Sequence, residues 1–405
     1  MTGGHGVALI VLGGGARTKC ARPVSVHYVN QVEARGIRRD VGPDAGRRIM
    51  FGPNSGGPMA LDIISRVASA VDAAVKKGEA VLGASAGGRV AAASGVQAAT
   101  KPSGDAERAD AAPDTNAAGA SRTGTDLVLE GGGMRGMFTA GVLDVFQERG
   151  VFGFDTVWGV SAGAINAASY LSRQQGRYLR ECLAFRDDRR FMSLWSLATT
   201  GDMAGADFLY HQVQDDIDPF DYEAFAARRS RFMVVATDVV FGTPSYLEVR
   251  NLPEDIDRVR ASASLPVISR MVQVGQERLL DGGTADSVPV ERALAEGAER
   301  AVVVLTQHRE YEKKGPYELQ PLADRRYADF PYYLEALRTR AARYNEQRQH
   351  IWQLEREGKV VVIAPSEPVV VGSTSGADGE GLLRLYLDGR RQGAAALDAV
   401  RAFGA

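Results

Sequence analysis

A serine flanked by glycines, a run of three glycines and an aspartate before two more are the residues here whose types and spacing suit chemistry. Ser161 stands in Gly159-Val160-Ser161-Ala162-Gly163, between an apolar run, Thr156 to Val160, and a helical stretch from Ala164 to Leu171. Gly-x-Ser-x-Gly between a strand and a helix is the nucleophile-elbow pattern. The turn is too tight for flanking side chains, and it pushes the hydroxyl clear of the backbone. The serine also opens a helix, where free N–H groups and the helix dipole favour an oxyanion. Upstream, the apolar Leu127 to Leu129 runs into Gly131-Gly132-Gly133-Met134-Arg135-Gly136. Backbone N–H groups of this Gly131–Gly133 turn, Gly132 and Gly133 above all, suit an oxyanion hole together with the N–H of Ala162. Losing one such donor costs on the order of 100- to 1000-fold in rate. Far downstream, Leu279-Leu280-Asp281-Gly282-Gly283 puts an aspartate at a strand end, where it could serve as base to Ser161. The chemistry implied is acyl transfer through a serine ester.

Each residue also has a plainer reading. Ser161 could be a small residue in a tight turn, and Asp281 a turn aspartate capping backbone N–H groups. Gly131-x-Gly133-x-x-Gly136 also satisfies the dinucleotide fingerprint, but the next strand ends at Val160 and Ser161 without the acid that would hold a ribose. A histidine base is the rival to Asp281, since Ser161, Asp281 and His308 follow the chain order of an α/β-hydrolase triad. His211 and His350 fall in stretches that read as exposed helix. Arg135 either steadies the glycine turn through a carboxylate, the reading preferred here, or meets an anionic headgroup.

GGGMRG, GVSAG and DGG, in that order, resemble the motifs of the patatin-like phospholipase family. The run ASASLPVI from Ala261 to Ile268 and the run DGGTADSVPV from Asp281 to Val290 are similar to that family's pattern too. The resemblance covers roughly residues 125 to 405. It implies a three-layer α/β/α fold with a mostly parallel central sheet, and a lipid acyl hydrolase. In such an enzyme a Ser161–Asp281 dyad replaces the triad, with no metal and no cofactor. Gly136, Gly159, Gly163, Gly282 and Gly283, with Arg135, would be supporting motif positions. A lipid or other acyl ester is the implied substrate. An acyltransferase using the same Ser161, and an inactive lipid-binding relative, stay open as alternatives.

The elements that must position these residues alternate strand and helix, which also implies a mostly parallel sheet covered on both faces. After the first strand a helix carries Phe138, Val142, Val145 and Phe146 at helical spacing. Tyr178 to Arg231 is rich in aromatic and charged residues and reads as the insertion shaping an acyl pocket. Phe191, Leu194, Trp195, Phe208 and Leu209 are its candidate lining, unless they are ordinary core. Phe232 to Asp238 is a buried strand paired with Ser245 to Val249, and Asp238 is expected to cap a neighbouring turn. A short helix from Arg258 to Ser264 follows, then a hairpin around Gly275 that delivers Asp281. Val288 to Gly297 is read as a helix, Ala301 to Leu305 as a central strand, and Phe330 to Glu357 as a long helix with a charged face. Val360 to Ile363 is a last strand, before a terminal helix from Gly381 to about Phe403.

The first 97 residues form a separate N-terminal region, α/β-like and of no recognised family. It holds a strand, Val7 to Leu12, an amphipathic helix, Leu61 to Lys77, and a second Gly-x-Ser-x-Gly around Ser85. That second elbow is read as tight packing, because no Asp-Gly-Gly accompanies it. Residues 98–124, poor in large apolar groups, cannot offset their ordering entropy and should be a flexible linker. Residues 125–405 then form the hydrolase-like domain with a C-terminal helical extension.

Composition narrows the setting. The chain has 405 residues, 45% apolar, with 48 Lys and Arg against 50 Asp and Glu, which argues against nucleic acid as a partner. The two cysteines, Cys20 and Cys182, have neither metal spacing nor a disulfide framework, which fits a reducing cytoplasm. No secretory signal is recognised in MTGGHGVALIVLGGG, and no stretch reaches the ~20 apolar residues that span a bilayer. The expected location is cytoplasmic. Oligomeric state and any transient contact with a membrane surface stay open.

Overall fold

The structure, a computed structural model, describes residues 124–372 and 378–405. The N-terminal region expected over residues 1–97, with its elbow at Ser85, and the linker as far as residue 123 lie outside the described residues.

β1 (Thr125–Leu129) leads through a single 3-10 turn (Gly133–Arg135) into α1 (Gly136–Glu148). β2 (Thr156–Val160) leads directly into α2 (Ala162–Leu171). The insertion follows as α3 (Arg177–Phe185), α4 (Leu194–Thr200), a π-helix (Phe208–Ile217) and α5 (Tyr222–Ala226). Then come β3 (Arg231–Asp238), β4 (Pro244–Glu248) and α6 (Leu252–Ser262). The hairpin β5 (Val272–Val274) and β6 (Glu277–Asp281) precedes α7 (Val290–Ala295) and β7 (Arg300–Val304). The chain continues through α8 (Gln320–Arg326), α9 (Pro331–Arg356), β8 (Val360–Ile363) and α10 (Gly379–Ala402). The expected strands and long helices are there. The helix expected from Arg258 begins six residues earlier, at Leu252. Pro253 sits in its first turn, where a missing N–H costs nothing, and Glu254 and Asp255 favour the positive end of the helix dipole.

One eight-stranded sheet runs β5-β6-β3-β2-β1-β7-β8, with β4 also on β3, and the strands β3-β2-β1-β7-β8 are parallel. Because side chains alternate across a strand, each parallel strand feeds two cores. Leu127, Leu129, Val302 and Val304 face the layer that holds α1, α2 and α10. Val128, Trp158, Ala301 and Val303 face the layer that holds α7 and α9. The result is a three-layer mixed α/β fold. Across the first core, Tyr386 and Arg390 of α10 bond Asp144 and Glu148 of α1 at 2.7 and 2.8 Å. The two helices approach closely because Gly389 lacks a side chain: a β-carbon there would stand 2.0 Å from the Phe138 carbonyl oxygen.

β3 changes partner partway along its length, and that change builds the site. β4 takes one edge of β3, from Met233 to Thr237. On the other edge β2 pairs in parallel as far as Val160 opposite Val235, and β6 then takes over antiparallel with Asp281 opposite Ala236. Two strands therefore end against neighbouring residues of β3, one delivering Ser161 and the other Asp281.

Candidate active site

The elbow is strained as its sequence requires. Ser161 sits at φ 54° and ψ −122°, a conformation that side chains other than glycine avoid and that costs on the order of 1–3 kcal/mol. Neighbouring structure enforces it. A β-carbon at Gly159 would stand 2.5 Å from Ala164 Cα, and one at Gly163 would stand 2.4 Å from the Leu129 carbonyl oxygen. Ser161 itself is buried, and its amide donates to Ser262 Oγ at 2.9 Å.

The glycine turn lies directly against the elbow. A β-carbon at Gly131 would stand 3.0 Å from Ser161 Cβ. The turn's carbonyls are all occupied: Thr306 Oγ1 donates to Gly131, the Arg135 amide to Gly132, and Tyr178 OH to Gly133. The amides of Gly131, Gly132, Gly133 and Ala162, in contrast, donate to no group among the described residues. Free donors and occupied acceptors are what a developing oxyanion needs. Glu130, at the entrance to the turn, is buried and accepts from the Thr306 amide and from Tyr344 OH, both at 2.7 Å.

Asp281 ends β6 with its carboxyl buried. Oδ1 accepts the Gly283 amide at 2.8 Å, while Oδ2 is buried without a well-formed hydrogen bond among the described residues. Burial pushes the carboxyl above its ordinary range; the Ser161 hydroxyl, then the Arg340 charge, the Gly283 amide and Lys313 pull it back. Ser161 thus interacts with the carboxyl, although Oδ2 closes no well-formed hydrogen bond. A buried carboxyl with a raised pKa is a better base than an exposed one.

The remaining candidates distribute differently. His308 stacks edge-on against Tyr311 at 5.9 Å, and its carbonyl accepts from Arg348. His350 pairs with Glu291 on the outside of α9, and His211 lies exposed on the π-helix. Asp238 caps the turn after β3 through the amides of Val240 and Phe241. Among the described residues no carboxylate pairs with Arg135, and its Nε is buried without a partner. It stands close enough to Lys313 for the two charges to repel, and this repulsion adds to the burial that lowers the lysine to about 7.

Ser161 opens into an apolar cavity of about 110 Å³, lined by Ile165, Phe191, Met203, Leu209, Leu265 and Ile268 among others. Two of the five expected lining residues, Phe191 and Leu209, are in place. Phe208 turns away into the core, packing edge-on against Phe185 at 5.2 Å. Leu194 and Trp195 are exposed, and Trp195 borders a separate polar cleft of about 420 Å³ that shares the Tyr210 wall. The insertion's helices are short, and the π-helix rotates successive residues by less than an α-helix does, so apolar character alone could not tell lining from core.

Several site residues escaped the sequence reading. Ser262 lies within the Ala261–Ile268 run, whose pattern was the one available signal. Glu130, Thr306, Lys313 and Arg340 carry no local motif, and folding alone brings them here. Among the described residues no group of three or more His, Cys, Asp or Glu is placed to hold a metal ion. No helix of the described residues is long and apolar enough to cross a membrane.

Residues 127–294 match the family described as patatin-like phospholipase. Residues 330–404 match a domain of unknown function (DUF6363). The uncharacterized protein YjjU of Escherichia coli (strain K12) is 30% identical over 185 residues, covering 44% of this chain and 51% of that protein. The chain thus spans about half the length of the curated relative it matches. VipD from Legionella pneumophila superposes with a TM-score of 0.40 at 15% identity, over 68% of this chain and 67% of that one. The type III effector ExoU gives 0.30 at 12% identity, over 68% and 53%.

Proposed function

From the patatin-like phospholipase match across residues 127–294 we propose that this chain is a serine acyl hydrolase cleaving carboxylic esters of lipids. The observation that carries the reading is the meeting of Ser161, in its strained elbow, with the buried Asp281 carboxyl at the partner change on β3.

In the first half-reaction Asp281 takes the hydroxyl proton as Ser161 Oγ attacks the ester carbonyl. The oxyanion is held by free amides of the Gly131–Gly133 turn and of Ala162. Collapse breaks the bond to the leaving alcohol or lysolipid, which receives the proton from Asp281 and leaves Ser161 acylated. Water then attacks the acyl-enzyme, giving its proton to Asp281. Collapse of the second intermediate returns that proton to Ser161 and releases the fatty acid. The apolar cavity beside Ser161 receives the acyl chain. Two cysteines without metal or disulfide spacing support a cytoplasmic location for this activity.

Labelling by a fluorophosphonate, which reacts with activated serines, tests the proposal alongside turnover of a nitrophenyl ester. The wild type should label and turn over, S161A and D281N should lose both, and S85A should keep both. Folded wild type that never labels overturns the proposal, and loss in S85A alone moves the nucleophile to the other elbow. Product analysis with an added alcohol separates hydrolysis from acyl transfer.

A further inference from the structure

Arg340, Arg343, Tyr344 and Gln347 occupy positions i, i+3, i+4 and i+7 of α9, and so form one stripe along that helix. Every member of the stripe bonds to the candidate site. Arg340 Nε donates to the Gly283 carbonyl and Arg343 Nη2 to the Thr284 carbonyl, both at 2.7 Å. Gln347 Nε2 donates to Asp286 Oδ1 and Tyr344 OH to Glu130 Oε1, also at 2.7 Å. One helix face therefore ties the turn that follows Asp281 to the residue that enters the glycine turn. That helix lies outside residues 127–294 and inside residues 330–404, which match a domain of unknown function.

We propose that the segment 330–404 is the positioning element of the site, and that Arg340 is its principal positioning residue. Arg340 would fix the Gly283 carbonyl while its charge faces the Asp281 carboxylate. The inference rests on the reading of Ser161 and Asp281 as a catalytic pair. Its geometry is specific: Asp281 Oδ1 and Arg340 Nη2 both approach one point beside Gly283 Cα, at 3.0 and 3.4 Å from where a β-carbon would stand. Any side chain at Gly283 would crowd both the carboxylate and the guanidinium. The guanidinium brings a positive charge to this face of Asp281.

The other groups facing Asp281 differ in that respect. The Ser161 hydroxyl and the Gly283 amide are neutral donors. The phenols of Tyr210, Tyr317 and Tyr333 are held protonated by burial. Lys313, reaching in from the loop after β7, is lowered to about 7 by burial and by Arg340, and it loses its charge near neutrality. Among the described residues its Nζ has the Tyr344 ring as its close partner, at 3.9 Å. Arg340 is thus the counter-charge that offsets the burial of Asp281.

The test is the acid limb of fluorophosphonate labelling across about pH 4 to 9 in the full chain, with R340Q, R340K and K313M. Gln can still donate to the Gly283 carbonyl but carries no charge, and Lys keeps the charge without the fork. R340Q should move the acid limb up by about one pH unit or more. R340K should hold the limb near its wild-type position, and K313M should move it less than R340Q does. An R340Q limb that stays in place, whatever its rate, overturns the inference and leaves the proposed function standing. If R340Q does not fold, an R340K limb displaced by a full unit overturns it equally. Wild type that never labels is the failure of the functional reading instead. The Asp281 carboxyl 13C resonance, assigned by its loss in D281N, then reads the same midpoint: a rise in R340Q supports the contact and an unchanged value overturns it.

Discussion

The main-chain amide of Ser161 donates to Ser262 Oγ at 2.9 Å, and that hydroxyl donates onward to the Val235 carbonyl at 2.6 Å. A side chain at the end of α6 thus bridges the elbow and β3, at the point where β3 exchanges β2 for β6. S262A leaves a buried N–H and a buried carbonyl unpaired, which should cost about 1–3 kcal/mol in denaturant unfolding. Labelling of Ser161 should slow by about tenfold as the elbow loses its anchor. Unchanged stability and labelling in S262A would show that the bridge does nothing.

Asp281 should set the acid limb of activity. Burial raises its carboxyl, so labelling should fall away at a pH above the ordinary carboxylate range. D281N should reduce turnover on the order of 100- to 10,000-fold. The raised carboxyl also costs stability when ionised: native protein favours the protonated form, so that cost appears as pH rises. D281N should accordingly melt no lower than wild type at neutral pH, and any advantage should shrink in acid. A D281N protein that melts well below wild type at neutral pH would contradict this.

Leu209 lines the cavity next to Ser161. Replacing it with Trp should fill the space an acyl chain needs while leaving the elbow and the free amides alone. The ratio of kcat/KM for a long-chain over a short-chain nitrophenyl ester should fall by about tenfold or more in L209W. Equal losses on both esters would mean that the chain enters elsewhere.

Asp144 offers a pH test of the fold away from the chemistry. Burial raises its carboxyl from 3.8 to about 6, against the pull of the Gly176 amide and Tyr386 OH. Because the folded value lies above the unfolded one, its contribution to stability is complete below about pH 4 and is lost as pH rises through about 6. D144N cannot ionise, and Asn can still meet both partners. The variant should therefore gain about 1–3 kcal/mol over wild type above pH 6, and the gain should vanish near pH 4. Urea melts across that window decide it, and a pH-independent difference would refute the assignment.

Much of this was legible residue by residue. Apolar runs of strand length before Gly131 and Ser161, with helical periodicity after each, marked β1-α1 and β2-α2, because strand and helix periods are local properties. The elbow was legible for the same reason: Gly159 and Gly163 are needed wherever a backbone passes within a carbon's width of another. The insertion was less so, since Phe208, buried in the core, and Leu209, lining the cavity, are alike as residue types and differ only in the direction the π-helix turns them.

By itself the sequence determined the alternation of strands and helices, the strained turn at Ser161, the unhindered glycine turn and an aspartate at a strand end. These follow from backbone sterics and side-chain pattern within a few residues of each site. Only the tertiary structure decided that Val160 and Asp281 end against consecutive residues of β3, and that Ser262, Glu130 and Arg340 hold the turns in place. Those contacts join residues 27 to 214 positions apart in sequence. Such pairings have no local signature, because their energy comes from burial and charge that exist only once the sheet and both helical layers have assembled.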